Sequence, residues 1–384
     1  MNIEKNFLKI FSAIKKKNIP LELHEPYIDK NDILSVSKAV RNKSVAGKGD
    51  YTKKFEKKIS ILTKSKYVIS CSSGTSALHL ALKYLKINSN DEVLVPAINF
   101  ISTANAIIYC GGTPHFIDVS EKTLGVDAIK LSDYLNKIGI IKQGKLINKK
   151  TGKTIRAIIP MHTFGHPCEM DKIIKLAKKF RLECVEDAAE GIGSYYKNKH
   201  VGTFSIMGIL SFNGNKTITA GGGGAILTNK KNIEKKIRNL TNHSKITHMW
   251  KYDYYDIGYN YRMPNLNAAL GCSQIDKLNF IIQKHRKIYE IYKKKFRNIN
   301  YGRIFKEPPS SRSNYWLQTF VLEKNNYKLR NKILNSTNKN GIHTRPAWKL
   351  MSEIKHLKKF PRMNLSTSEK LINRIINLPS SFNF

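Results

Sequence analysis

Between residues 66 and 229 the chain alternates short apolar, β-branched runs with stretches of helical spacing. The runs lie at 67–70, 93–95, 115–119, 157–160, 182–185, 207–211 and 225–227. Continuous apolar runs of this length are what strands covered on both faces require. Helical spacing follows the first run through Ala77, Leu78, Leu80, Ala81 and Leu85, and the second through Ala104, Ala106, Ile107 and Ile108. It precedes the fifth through Met170, Ile173, Ile174, Leu176 and Ala177. Strand and helix in alternation predict an α/β domain, a mainly parallel seven-stranded sheet with helices on both faces.

The stretch 139–155 is polar, with two apolar islands around Asn148–Gly152, and predicts a hairpin inserted before the fourth strand. Beyond 230 the pattern turns to long helices, notably over 265–297, and after the Pro308-Pro309-Ser310-Ser311 turn to short mixed elements. This predicts a small C-terminal α+β domain. Near the start, Phe7, Leu8, Ile10, Phe11 and Ile14 fall on one face of a short helix that would pack on the body or on a partner. The expected organisation is an N-terminal extension over 1–30, a large domain over 31–262 and a small domain over 263–384.

A length of 384 residues suits two domains, and 41% hydrophobic content is enough for real cores, which excludes a disordered chain. The charge is unusual: 67 Lys+Arg against 28 Asp+Glu gives +39. That balance suggests a polyanionic partner. However, Lys outnumbers Arg roughly four to one and falls in scattered runs such as Lys15-Lys16-Lys17, Lys57-Lys58 and Lys293-Lys294-Lys295, the pattern of solvated faces. Arg, the better reader of phosphates and bases, is not enriched, so no specific nucleic-acid role is expected. The five cysteines are dispersed without a C-x-x-C pair, which points to reduced thiols. No apolar run has the length of a membrane span, and Lys interrupts the N-terminal apolar residues. A cytoplasmic protein is expected, with no membrane partner.

Three motifs carry chemistry. Ser70-Cys71-Ser72-Ser73-Gly74-Thr75-Ser76 sits where a strand gives way to a helix, so its free N–H groups and hydroxyls suit a phosphate; an ordinary helix cap has the same residues. Val185-Glu186-Asp187-Ala188-Ala189-Glu190 follows the fifth strand, at the sheet edge where open α/β folds bind ligands, although Asp187 there could equally cap a helix. In Ser211-Phe212-Asn213-Gly214-Asn215-Lys216 a lone Lys among turn residues precedes four consecutive glycines, Gly221 to Gly224. A buried Lys is the type that forms a Schiff base with a carbonyl. An anion site, an Asp and this Lys together fit pyridoxal 5′-phosphate, with Asp187 pairing to the ring nitrogen and Phe100 placed to stack on the ring.

The blocks SSGTSALHLAL, DEVLVPAINFISTANAI, VEDAAEGIGSYYKNKHVGTFS, SFNGNKTITAGGGGAILTN and GYNYRMPNLNAALG, in this order, resemble the DegT-type sugar aminotransferases. The resemblance runs from about Leu21 into the C-terminal region and implies the fold type I of PLP-dependent transferases. Carried over by position, it makes Lys216 the Schiff-base lysine and Asp187 the partner of the ring nitrogen. Gly74, Thr75 and Ser211 become phosphate ligands and Phe100 the stacking ring. Asn260 resembles the residue that reaches the phosphate from a neighbouring subunit, which implies a homodimer with shared active sites. Glu190 stands where many members carry His or Gln near the ring hydroxyl.

The NGNK form of the lysine motif and the insertion before IIPMHTFGHPCEMD resemble the branch that aminates UDP-linked 4-keto-6-deoxy-N-acetylhexosamines for legionaminic acid or bacillosamine. The implied reaction moves an amino group from glutamate to the C4 keto group of a nucleotide sugar. His162, Tyr315, Arg345 and Trp348 are substrate-side candidates. Arg345 suits a diphosphate and Trp348 a sugar ring, although a surface Arg and a core Trp are equally ordinary. The alternatives are a GDP-perosamine type of aminotransferase and a non-catalytic protein that binds PLP or polyanions. His162, His166 and Glu169 lie around Gly165 and Pro167 in a loop, not on one helix face, so no metal site is expected.

Overall fold

The computed structural model describes residues 3–13, 20–47 and 49–381; Ile14, the 15–17 lysine run and the last three residues of the expected small domain lie outside them. In chain order the first seven strands are β1 (Tyr67–Cys71), β2 (Asp91–Pro96), β3 (Thr113–Ile117), β4 (Gly139–Lys142), β5 (Lys145–Asn148), β6 (Thr154–Ile158) and β7 (Glu183–Asp187). A ribbon of β8 (Tyr195–Tyr196) and β9 (Lys199–His200) follows, then β10 (Met207–Ser211) and β11 (Gly224–Thr228).

The main sheet runs β1-β11-β10-β7-β6-β2-β3. From β10 to β3 every pairing is parallel, whereas β11 lies antiparallel to both of its neighbours. All seven predicted runs are strands of this sheet. Burial on both faces explains their composition: Ile209 and Ile226 point into one apolar core, while Leu210, Ala225 and Leu227 point into the other. The predicted turn at Asn148–Gly152 joins β5 to β6, and β4 adds a further strand through the Gln143-Gly144 turn.

Of the first helices, α1 (Ile3–Ser12) stands apart, α2 (Lys30–Arg41) and α3 (Asp50–Thr63) precede the sheet, and α4 (Gly74–Tyr84) and α5 (Ile101–Tyr109) follow β1 and β2. Next come α6 (Ala128–Ile138), α7 (Met170–Lys179) and α8 (Lys231–Leu240). The ribbon of β12 (Lys245–Ile246) and β13 (Asp253–Tyr254) projects after α8. Then α9 (Asn265–Asp276) packs on α2 and α3, so residues on both sides of 263 share one layer.

The long α10 (Leu278–Lys295) leads to β14 (Gly302–Ile304), to β15 (Ser311–Arg312), which pairs with β8, and to β16 (Gln318–Leu322). With α11 (Tyr327–Lys339), β17 (Arg345–Pro346), α12 (Ser366–Ile372) and β18 (Ile375–Leu378) these complete a four-stranded antiparallel sheet ordered β14-β16-β18-β17. The apolar face of α1 closes its core: Phe7 and Phe11 are fully buried, and Phe7 meets Phe296 and Phe320 edge-on at 5.1 Å each.

Candidate active site

The C-terminal ends of β1, β2, β7 and β10 converge on a cavity of about 380 Å³. At the end of β1, the Ser73 hydroxyl caps α4 by accepting the Ser76 N–H at 3.0 Å, and the Ser76 hydroxyl oxygen accepts the Ser73 N–H at 3.0 Å. The N–H groups of Gly74 and Thr75 open the helix, have no acceptor within it, and line the cavity. Ser211, at the end of β10, stands across from them. A Cβ on Gly74 would lie 3.0 Å from the Ser211 Cβ, so a larger residue would have to move β10 and the helix end apart by a few tenths of an ångström. Oriented N–H groups and hydroxyls around a concave backbone suit a phosphate.

Asp187 closes β7 and is buried. The Thr103 hydroxyl donates to its Oδ2 at 2.8 Å and the Ala189 N–H to its Oδ1 at 3.2 Å. Burial pushes its pKa upward, while these donors and the Lys216 charge oppose the rise. A carboxylate held from both oxygens in a buried place is set to pair with a cationic N–H.

Lys216 follows β10 in a turn closed by its N–H to the Asn213 carbonyl at 3.0 Å. Its Nζ lies 3.1 Å from Glu190 Oε1 and 4.1 Å from the centroid of the Trp316 ring, which offers its face to the charge. Glu190 is buried, and its Oε2 accepts the Phe164 N–H at 2.8 Å. Burial raises its pKa, with Lys216 opposing. Trp348 packs against Phe164 at 5.1 Å and meets the half-exposed Phe100 edge-on at 6.3 Å.

The structure therefore brings Gly74, Thr75, Phe100, Asp187, Glu190, Ser211, Lys216 and Trp348 around one cavity. Arg345 lies in an adjoining cleft of about 450 Å³ that shares Asn215, Trp316 and Trp348 with it. Two substrate-side expectations are corrected. His162 does not line the cavity: it is fully buried beneath Asp187, its Nδ1 accepting the Cys168 N–H at 3.1 Å and its Nε2 donating to Glu186 at 3.3 Å. Tyr315 is turned away, buried against Tyr289 at 4.3 Å with its hydroxyl accepting the Glu307 N–H at 3.0 Å. Its backbone is left-handed, φ 49°, and its neighbour Trp316 lines the cavity instead. Asn260 is exposed, bridged to Asn242, and lies outside this chain's cavity. Thr103 belongs to none of the three motifs that carry chemistry in the sequence. Its one signal is its place in the first turn after β2, level with the end of β7.

An anion cradle, an amine, a buried carboxylate and an aromatic wall around 380 Å³ fit pyridoxal phosphate by the chemistry of each part. Fold and site together define a PLP-dependent transferase of fold type I. Within that class the chain belongs to the DegT/DnrJ/EryC1/StrS aminotransferase family, whose pattern matches residues 26–384. It is therefore a PLP-dependent sugar aminotransferase. Its relatives include GDP-perosamine synthase of Escherichia coli O157:H7, 36% identical over 334 residues, 86% of this chain and 85% of the relative. UDP-4-amino-4,6-dideoxy-N-acetyl-beta-L-altrosamine transaminase of Campylobacter jejuni subsp. jejuni serotype O:23/36 is 30% identical over 354 residues, covering 92% and 90%. Among solved structures, Helicobacter pylori PseC, an aminotransferase involved in the biosynthesis of pseudoaminic acid, superposes with a TM-score of 0.84 at 26% identity over 94% of this chain and 93% of its own.

Proposed function

We propose that this enzyme moves an amino group from glutamate to the C4 keto group of a nucleotide-linked 4-keto-6-deoxy sugar. The observation that carries the reading is the Lys216 amine, held between Glu190 and Trp316 in the cavity that also contains Asp187. Bound pyridoxal phosphate supplies an aldehyde to carry the amino group and a ring that withdraws electrons. Gly74, Thr75 and Ser211 would hold its phosphate, Asp187 would hold a proton at the ring nitrogen, and Phe100 would stack on the ring. The Lys216 Nζ would move a proton between the aldehyde carbon and the substrate carbon. Trp316, 4.1 Å from that nitrogen, would keep water from it and with Trp348 form the wall toward the sugar, and Arg345 in the adjoining cleft would meet the diphosphate.

The relatives favour the GDP-perosamine type over the UDP-linked N-acetyl sugar suggested by the NGNK motif: GDP-perosamine synthases stand at 36%, 32% and 31% identity, the UDP-sugar transaminase at 30%. UDP-, GDP- and dTDP-4-keto-6-deoxy sugars offered with glutamate, with products read by mass and NMR, test both readings. The GDP sugar is expected to turn over fastest, and a preference for the UDP-N-acetyl sugar restores the legionaminic or bacillosamine reading.

A homodimer with shared sites belongs to the same proposal, in a cytoplasmic enzyme. Its support is a strongly exposed apolar ribbon, with Met249 at 88%, Trp250 at 69% and Ile257 at 78%, on the segment that carries Asn260. No helix among the described residues is long and apolar enough to cross a membrane.

A further inference from the structure

The charges in the cavity do not balance once Lys216 is used. Among the described residues that line it, Lys216 is the one cation, set against the buried carboxylates of Asp187 and Glu190. While the lysine is an ammonium, its 3.1 Å contact answers the Glu190 charge. When the nitrogen is bonded to a carbonyl carbon, that answer is gone, and Glu190 is left buried beside Asp187, whose charge raises its proton affinity.

The two differ in what else holds them. Asp187 keeps the Thr103 hydroxyl on one oxygen and the Ala189 N–H on the other. Glu190 keeps the Phe164 N–H on Oε2, while Oε1 is the atom that Lys216 leaves. We propose that Glu190 is the proton partner of Lys216, a carboxylate while the lysine is free and a carboxylic acid while the lysine is bonded to the cofactor. This rests on the reading that Lys216 carries pyridoxal phosphate.

The step balances. Lys216–NH3⁺, Glu190–COO⁻ and an aldehyde give a C=N bond to the lysine nitrogen, Glu190–COOH and water. One proton of the ammonium passes to Glu190 Oε1, two leave with the aldehyde oxygen, and net charge is conserved. When an incoming amine displaces Lys216, the proton returns, and the lysine is regenerated beside the carbon where it acts. Glu190 thereby supplies locally a proton that solvent reaches poorly, since its side chain is only 2% exposed.

The test is an infrared difference spectrum of the wild-type enzyme, pyridoxal phosphate-loaded minus unloaded, with glutamate residues labelled at the side-chain carboxyl by ¹³C. A new carboxylic-acid C=O band that shifts with the label and is missing in Glu190→Gln is the expected result. Loading of Glu190→Gln should also release about one proton per chain to buffer beyond wild type, as counted by calorimetry in buffers of different ionisation heat. A wild-type spectrum in which no glutamate gains the acid band overturns the proposal, and it needs no variant to fold. Borohydride reduction and peptide mapping check the reading beneath it. A pyridoxyl group found elsewhere than Lys216 overturns that reading and this proposal with it, whereas one on Lys216 with Glu190 still ionised overturns this proposal alone.

Discussion

A Cβ placed on Gly224 would lie 2.4 Å from the carbonyl oxygen of Ser73, so the first residue of β11 and the cap of α4 touch backbone to backbone. This contact fixes how closely β11 approaches the helix end that begins at Gly74. Gly224→Ala must push the helix end away. The expected cost is about 1–3 kcal/mol in urea unfolding, the usual range for overpacking, together with weaker retention of pyridoxal phosphate on dialysis. Unchanged stability and retention would show that the cradle does not depend on this approach.

Thr103 donates to Asp187, and through it would act on the cofactor. Hydrogen bonds to a charged group contribute about 1.5–3 kcal/mol. Thr103→Val, which keeps the shape and removes the donor, should raise the Kd for pyridoxal phosphate by roughly tenfold or more, since about 1.4 kcal/mol is one decade. Thr103→Ser should restore it. Equal affinities in all three would remove Thr103 from the site.

Acid stability should report a buried histidine. Among the described residues both ring nitrogens of His166 lack a hydrogen-bond partner, with Phe305 and Tyr315 packed edge-on against the ring. Burial pushes its pKa down to about 3, against a smaller upward pull from Glu307. The unfolded chain therefore takes up this proton near the ordinary value of 6.5, and the folded protein only near 3. The contribution is whole above pH 6.5 and is lost as pH falls toward 3, at about 1.4 kcal/mol per pH unit for one such group. His200 and His285, each held near 4, add slope in the same direction. His166→Leu should remove one proton's share from the pH dependence of urea unfolding between pH 6 and 4.5, and an unaltered slope would contradict this.

The exposed ribbon supplies a test of assembly. Trp250→Glu with Ile257→Glu should yield a monomer by sedimentation, with far-UV circular dichroism unchanged and pyridoxal phosphate held less tightly. A dimer that survives the pair places the interface elsewhere.

The sequence displayed the strands because burial on both faces forces uninterrupted apolar runs, as at Ile209-Leu210 and Ile226-Leu227. It displayed Lys216, Asp187 and the Ser73-Gly74-Thr75 turn because strand ends, turns and glycines leave local marks. It did not distinguish Trp316 from Tyr315, since Tyr315 is held by Tyr289 and the Glu307 N–H, partners that only the fold brings to it, nor reveal that His162 serves Glu186 beneath the site. Thr103 was invisible for a similar reason: its partner lies 84 residues away, on a strand brought beside it only by the fold. The two apolar positions of α1 that fill the C-terminal core, Phe7 and Phe11, were legible as a face, but not the surface they cover.

In the proposed reaction Lys216 moves the proton that lets an amino group pass, by way of the cofactor, from glutamate to the C4 carbon of a nucleotide sugar. A single turnover of loaded enzyme with ¹⁵N-glutamate and a nucleotide-linked 4-keto-6-deoxy sugar tests it most directly. One 2-oxoglutarate per chain and ¹⁵N bonded to C4 of the sugar by NMR are expected, both abolished in Lys216→Ala. Label absent from C4, or label transferred equally well without Lys216, would contradict it.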